Sequence, residues 1–275
     1  MRRWVHGIAV ALLAGVVGVG AQQLPLEPLR DSGQSVTPAY EGWFRNADGT
    51  ISLLVGYFNR NLNETVDVPV GPDNHIDPGG PDRGQPTHFL VHRHWGVFTI
   101  VVPGNFPEKQ LTWTLVSHGR TMTVPMTLHQ DYEVAPLKDA ALGNTPPVVQ
   151  IDGAGPKLQG PPRGIAATIA ARAGQAITLA ASLTDDNVPD PRRPAGATPL
   201  SVSWMQFRAP AGGAIVFSAP KSAVAAAGGK ATTIATFSSP GEYVVRLQAN
   251  DVSGDGGGGF QCCWTSALIK VSVGN

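Results

Sequence analysis

Cysteine is nearly absent from this 275-residue chain. There are two, and they are neighbours, Cys262 and Cys263. A framework of disulfides between distant strands is excluded, so the fold must be held by packing. A trans peptide keeps adjacent Cα atoms about 3.8 Å apart, below the usual disulfide window. A Cys262–Cys263 bridge would therefore be a strained vicinal element that stiffens its loop or responds to redox conditions. Charge is also sparse, at 15% of residues, and Lys plus Arg (20) equals Asp plus Glu (20). A chain this close to neutral lacks the electrostatic reach for nucleic acid or an anionic membrane. No apolar run follows the first twenty residues, so stable membrane insertion of the remaining chain is not expected. No Gly-x-Ser-x-Gly elbow, His-Glu-x-x-His or Gly-x-x-x-x-Gly-Lys is present, and Gly256 to Gly259 opens no helix. The sequence offers little support for an enzyme. No long segment carries the 3.6-residue apolar period of a helix.

Glycine (33) and proline (24) are plentiful, as suits many short strands joined by tight turns. The fold class expected is all-β, with two β-sandwich domains in tandem. Residues 1–21 read as a signal peptide: basic Arg2 and Arg3, an apolar run from Gly7 to Gly20, and small residues Val19 and Ala21 at the cleavage positions. With Arg2 and Arg3 removed the formal charge is −2. No cysteine near Ala21 supports lipid modification. Residues 22–37 read as a flexible leader, a mobile or loosely docked arm with no period of its own.

Residues 38–130 read as the first domain. Short strands are expected at Tyr40–Arg45, Ile51–Asn59, Thr65–Val70, Thr87–Trp95, Val97–Val102, Leu111–Ser117 and Arg120–Leu128. The Pro- and Gly-rich stretch from Gly71 to Pro86 reads as a long loop. Residues 131–147 are the expected linker, ending in Asn144-Thr145-Pro146-Pro147. In residues 148–275 the central element is Phe237 to Asp251. A Pro240-Gly241 turn leads into strict alternation, with Tyr243, Val245, Leu247 and Ala249 on one side and Val244, Arg246, Gln248 and Asn250 on the other. That pattern is a strand with one dry face. Around it fall strands at Val148–Asp152, Gln175–Leu183, Leu200–Phe207, Ala231–Phe237 and Thr265–Val273. Trp204 is the expected core tryptophan, and Tyr243 is placed like the corner tyrosine of an immunoglobulin-like (Ig-like) sandwich.

Several of these residues together resemble a polycystic-kidney-disease-type (PKD) Ig-like domain. They are Gly174 to Leu179 with Asp185 after them, Val202 and Trp204, and Phe237 with Gly241-Glu242-Tyr243-Val244-Val245 running to Asp251. The chain departs from that family after Trp204, where Met205-Gln206-Phe207 replaces a Gly-Asp-Gly turn. Its crossings at 185–199 and 251–264 are also longer. The resemblance implies an Ig-like fold and a non-catalytic spacer or binding module.

Three constellations could carry chemistry. Asp185, Asp186 and Asp190 lie on one long crossing, with Asn187, while Asp251 and Asp255 lie on another. In an Ig-like sandwich both emerge at one end, where oxygen ligands from facing loops could hold calcium. The other reading is a solvated acidic loop. His88, His92 and His94 fall at even spacing on one expected strand, a pattern that could present zinc or copper ligands from one face. Leu90 shares that face, so an exposed histidine-rich strand is the competing account. The Gly254 to Trp264 crossing carries Phe260, Gln261 and Trp264, which could anchor a partner as aromatics do at interface centres. It could equally be a loose tip with Trp264 packed back on the sandwich.

The function these features favour is an exported, non-enzymatic binding or structural protein, periplasmic or extracellular. It would meet a protein or glycan partner at the loop end of its Ig-like domain, without an obligatory cofactor. The alternatives are a metal-binding protein or metalloenzyme built on the His88, His92 and His94 cluster, and a component of a larger envelope assembly joined through exposed strand edges.

Overall fold

The structure is a computed structural model that describes residues 29–106, 110–152, 155–189, 199–251 and 262–275. It is all-β, with two sandwiches in tandem, the second Ig-like. The expected signal peptide, residues 1–21, lies outside the described residues. Among the described residues no helix is long and apolar enough to cross a membrane.

The first unit contains β1 (Val36–Arg45), β2 (Ile51–Asn59), β3 (Val66–Asp67), β4 (Asn74–Asp77), β5 (His88–Phe89), β6 (His92–Val102), β7 (Gln110–Ser117) and β8 (Arg120–Thr127). One sheet has the order β1-β2-β6, the facing sheet β4-β7-β8, and β3 pairs with β5. Alternation explains the core. Leu111, Trp113 and Leu115 of β7 turn inward with Ile76 and Met126, and meet Leu53, Val55, Phe98 and Ile100 of the other sheet. Phe98 and Trp113 meet edge to face at 5.2 Å, a geometry that aromatic quadrupoles favour.

Two sequence expectations are revised here. The stretch from 71 to 86 is not all loop, because β4 lies inside it and pairs antiparallel with β7. Four residues between prolines suffice at a sheet edge, where one side of the strand needs no partner. Residues 29–37 are not a free leader in their described part. The backbone of Arg30 and Asp31 accepts from Leu62 and Asn63, and Gln34 and Ser35 are buried.

The second unit contains β9 (Val148–Ile151), β10 (Lys157–Gln159), β11 (Ile165–Arg172), β12 (Ala176–Thr184), β13 (Leu200–Arg208), β14 (Ile215–Phe217), β15 (Lys221–Val224), β16 (Gly228–Phe237), β17 (Gly241–Asn250) and β18 (Trp264–Gly274). Its sheets run β10-β9-β12-β16-β14 and β11-β18-β17-β13-β15. In Ig terms, β9, β12, β13, β16, β17 and β18 are strands A, B, C, E, F and G. Strand β11 was not foreseen. It adds to the second sheet parallel to β18, so the first strand of the fold is split between the two sheets. Its sequence, Ile-Ala-Ala-Thr-Ile-Ala-Ala-Arg, is alanine-rich and signals a strand weakly. Trp204 and Tyr243 share one core with Leu179, Phe237 and Ile269. The Tyr243 hydroxyl donates to the Ser239 carbonyl at 2.9 Å and ties the turn between β16 and β17 to the core, as a corner tyrosine does.

The outer face of β17 and β18 is covered by the first unit, so the expected single dry face is in fact a pair. Arg246, Gln248, Trp264 and Ser266 are each 5% exposed or less. Phe207 and Leu268 extend the first unit's core. Thr87 N–H donates to Phe207 O at 3.1 Å, Arg208 pairs with Asp82 at 2.8 Å, and Thr99 Oγ1 donates to Pro162 O. The Arg246 guanidinium donates to Trp95 O at 3.3 Å and to Ser266 Oγ at 3.1 Å. Nearby, Glu41 accepts from Arg93 at 2.7 Å and from Gly96 N–H at 2.6 Å. Burial pushes the Glu41 carboxyl up, opposed by Arg93, the Gly96 amide and Arg246.

Candidate functional site

The two long crossings leave the second unit at the same end. Asp185 follows directly on β12 and Asp251 directly on β17, and the two carboxylates feel each other. Burial first, then the charges of Asp251 and Asp186, raise Asp185 to about 6, against hydrogen bonds from Asn187 and Asp186 that act the other way. Asp185 Oδ2 accepts from Asn187 N–H at 2.9 Å in an Asx turn. Asp190, Asp255, Phe260 and Gln261 lie outside the described residues.

The linker is seated on this end. Asn144 is 2% exposed, and its Nδ2 donates to Asp251 Oδ2 at 2.6 Å. Thr145 N–H and Oγ1 both donate to Asp186 Oδ2, at 2.9 and 2.7 Å. Asp139 shapes the linker from within, accepting on Oδ1 from the Ala141 and Leu142 amides, while its N–H donates to Asn144 O. Cys262 and Cys263 are bridged to each other, with a cis peptide between them and Cα atoms 3.0 Å apart. The bridge is no exposed tip. Both residues are buried, and Cys263 Sγ lies 3.3 Å from Asn144 O.

Trp264 does not face outward. It is 1% exposed and packs on Gly96 of the first unit, so in this arrangement it anchors the two units to each other. The reason is positional. Trp264 opens β18 on the face that β6 covers, and a glycine with φ +50° lets the indole approach the backbone.

The histidines do not share one strand face. β5 ends at Phe89 and β6 begins at His92, whose φ of +71° breaks the period of two. His88 turns to Asp67, Nδ1 to Oδ1 2.7 Å. His94 stacks on Tyr57 at 5.1 Å, with Nε2 3.0 Å from Val91 O. Burial, then Arg246, push His94 down to about 4, against the Val91 hydrogen bond. His92 is exposed. The three reach one cavity of about 800 Å³, across from Met205, Ile215, Phe217 and Asn250. Among the described residues no three His, Cys, Asp or Glu side chains are grouped to hold a metal.

Sequence reasoning missed Asn144 and the buried pair Glu41 and Arg246. Asn144 sat in a stretch read as linker, and its only signal was the Asn-Thr-Pro-Pro run. Arg246 sat on a face read as wet.

No family model matches the chain, and no curated protein does. Solved structures resemble it at low similarity. The D00-D0 domain of intimin gives 13% identity over 88% of this chain and 100% of that one, with a TM-score of 0.28. Domains 4 and 5 of the S-layer protein SbsC give 13% over 61% and 71%, TM-score 0.25. The sialic acid binding region of a Streptococcus sanguinis adhesin gives 9% over 89% and 78%, TM-score 0.24. Likeness at this level carries no argument about function.

Proposed function

We propose that this chain is an exported, non-enzymatic binding or structural protein that meets a protein or glycan partner at the loop end of its Ig-like unit. The observation that supports this is the convergence of the stems of the two longest crossings, at Asp185 and Asp251, at one end. Of the sandwich's two broad outer faces, the one formed by the sheet containing β17 and β18 is already covered by the first unit. The linker takes up the stems through Asn144 and Thr145, which leaves partner contact to the residues beyond them, Phe260 and Gln261 first. Export rests on the reading of residues 1–21, and N-terminal sequencing of the native protein should then begin at Gln22.

The test is binding to material from the native cell envelope. Phe260→Ala combined with Gln261→Ala should weaken retention ten-fold or more without altering thermal unfolding. Equal retention of variant and wild type would refute the assignment.

A second reading concerns the cavity. Its volume of about 800 Å³ falls in the range of small-molecule sites, and it mixes apolar walls with a few polar groups as such sites do. Met205, Ile215 and Phe217 supply the apolar side, and His92, Lys221 and Asn250 the polar side. That chemistry suits a short glycan. A glycan array read with wild type and Asn250→Ala distinguishes it: signal lost in the variant places recognition in the cavity and not at the loop end.

A further inference from the structure

Oxygen acceptors gather where the linker meets the loop end, and two of them lack donors. Asn144 Oδ1 and Asp185 Oδ1 are both buried without a hydrogen-bond partner among the described residues. The Asn144 amide is oriented by its Nδ2, which donates to Asp251 Oδ2 at 2.6 Å. Its carbonyl oxygen is on the other arm of the same amide, one group removed from the Asp251 carboxylate, and Asp251 is the first charge that Asp185 senses. A buried acceptor left without a donor costs free energy. Two such acceptors beside an anionic carboxylate cost more, unless something positive stands among them.

We propose that Asn144, Asp185 and Asp251 form a site for a hard divalent cation, calcium by its chemistry, which fastens the linker to the loop end of the Ig-like unit. A proton is the other candidate and fits less well. One proton on Asp185 satisfies a single contact, and the Asn144 carbonyl takes none at neutral pH. The donor set is all oxygen, two carboxylates and one amide carbonyl, as hard cations prefer. The three come from three separate segments, an irregular arrangement that calcium accepts more readily than magnesium with its near-ideal octahedron. Water completes the shell. The Cys262–Cys263 bridge, buried against Asn144 O, closes one side. Asp186 is a neighbouring charge whose Oδ2 is taken by Thr145. A site with so few charges belongs with extracellular calcium modules, Kd about 0.1–1 mM. This inference does not depend on what partner the loop end meets.

The experiment uses the whole secreted chain, stripped with chelator, and calcium chloride alone as probe at pH 7. Calcium at 10 mM against a Kd of about 1 mM shifts the folding equilibrium about 11-fold, read as a rise in Tm, with matching heat in calorimetry. Asp185→Asn and Asp251→Asn should each weaken binding ten-fold or more. Asn144→Asp, which adds a charge, should tighten it. Asp48→Asn, at an exposed ion pair with Arg163 elsewhere, should leave it unchanged. If Asp251→Asn does not fold, the calorimetry of Asp185→Asn decides alone. Absence of heat and of any Tm shift at 10 mM overturns the proposal, as does binding that survives Asp185→Asn. So does stabilisation obtained by lowering the pH from 7 to 5 with no response to calcium, because a proton then fills the place.

Discussion

Replacing Gly96 by alanine tests the contact that makes one body of two sandwiches. Gly96 sits at φ +50°, and a Cβ built on it would run into Cζ2 of Trp264, with Cε2 and Cη2 each 3.0 Å away. Two costs follow. An L-residue in the left-handed region loses about 1 kcal/mol or slightly more. Forcing a methyl into a packed interior costs about 1–3 kcal/mol. The ring has little freedom to yield, since Trp264 is 1% exposed. The sum, about 2–4 kcal/mol, is a large part of the stability of an ordinary domain. For a chain of this size it would lower Tm by roughly 5–15 °C. The origin is separated with a double-mutant cycle. Trp264→Ala alone should cost about 3–5 kcal/mol as a large core truncation. In that background the methyl meets space, so Gly96→Ala should cost only its backbone share, about 1 kcal/mol. Urea unfolding followed by circular dichroism gives the four values, and a coupling of about 1–3 kcal/mol is expected. Additive costs would refute the reasoning, since they would mean that Trp264 does not lie on Gly96.

Arg246→Met should destabilise by about 2–5 kcal/mol, because Trp95 O and Ser266 Oγ lose a buried donor and Glu41 loses a nearby cation; denaturant midpoints for Arg246→Met and Arg246→Met/Glu41→Gln measure it, and the double variant should be the less damaged. Tyr243→Phe should cost about 1 kcal/mol through the lost bond to Ser239 O, checked by urea melts at unchanged slope. His94, held down to about 4 from its ordinary 6.5, is kept neutral by the fold. Its contribution is complete above pH 6.5 and is lost as the pH falls through 4, a swing of about 3 kcal/mol. The test is stability against pH in wild type and His94→Gln, with the imidazole titration followed by NMR; a titration near 6.5 in the folded protein would contradict the burial argument. Asp185, raised to about 6, has the opposite sign: its protonated form stabilises below its unfolded value near 3.8, and that share is lost as the pH rises through 6. Asp185→Asn should remove this dependence.

The second sandwich was legible because its strongest signals are local. The turn before Tyr243 and the alternation through Ala249 specify a strand and a buried face without reference to any other segment, and Trp204 and Tyr243 then find the same core. What stayed hidden was non-local. Strand β11 earns its place by parallel pairing with β18, and nothing in an alanine-rich octet announces that partner. Arg246 and Gln248 read as a wet face because period two reports alternation, not what lies on the far side. The covering layer comes from β6, some 150 residues earlier. The histidines show the converse error. Even spacing from His88 to His94 promised a shared face only if the strand ran unbroken, and the left-handed backbone at His92 breaks it.

The candidate cation site falls between these cases. Its carboxylates were readable, since Asp185 and Asp251 end two strands whose exits must lie together in this fold. Its third oxygen was not. Asn144 belongs to a stretch without period or charge pattern, and only its docking through Asp251 shows that the linker is part of the loop end. The chain therefore reads as two sandwiches in its apolar alternation, and as one body only through contacts that alternation does not report, apolar at Trp264, Phe207 and Leu268 and polar at Arg246. Glu41 and Arg246 carry almost none of the core, yet they belong to the contacts that fix how the two cores meet, while Asn144 and Asp251 fasten the linker to the second.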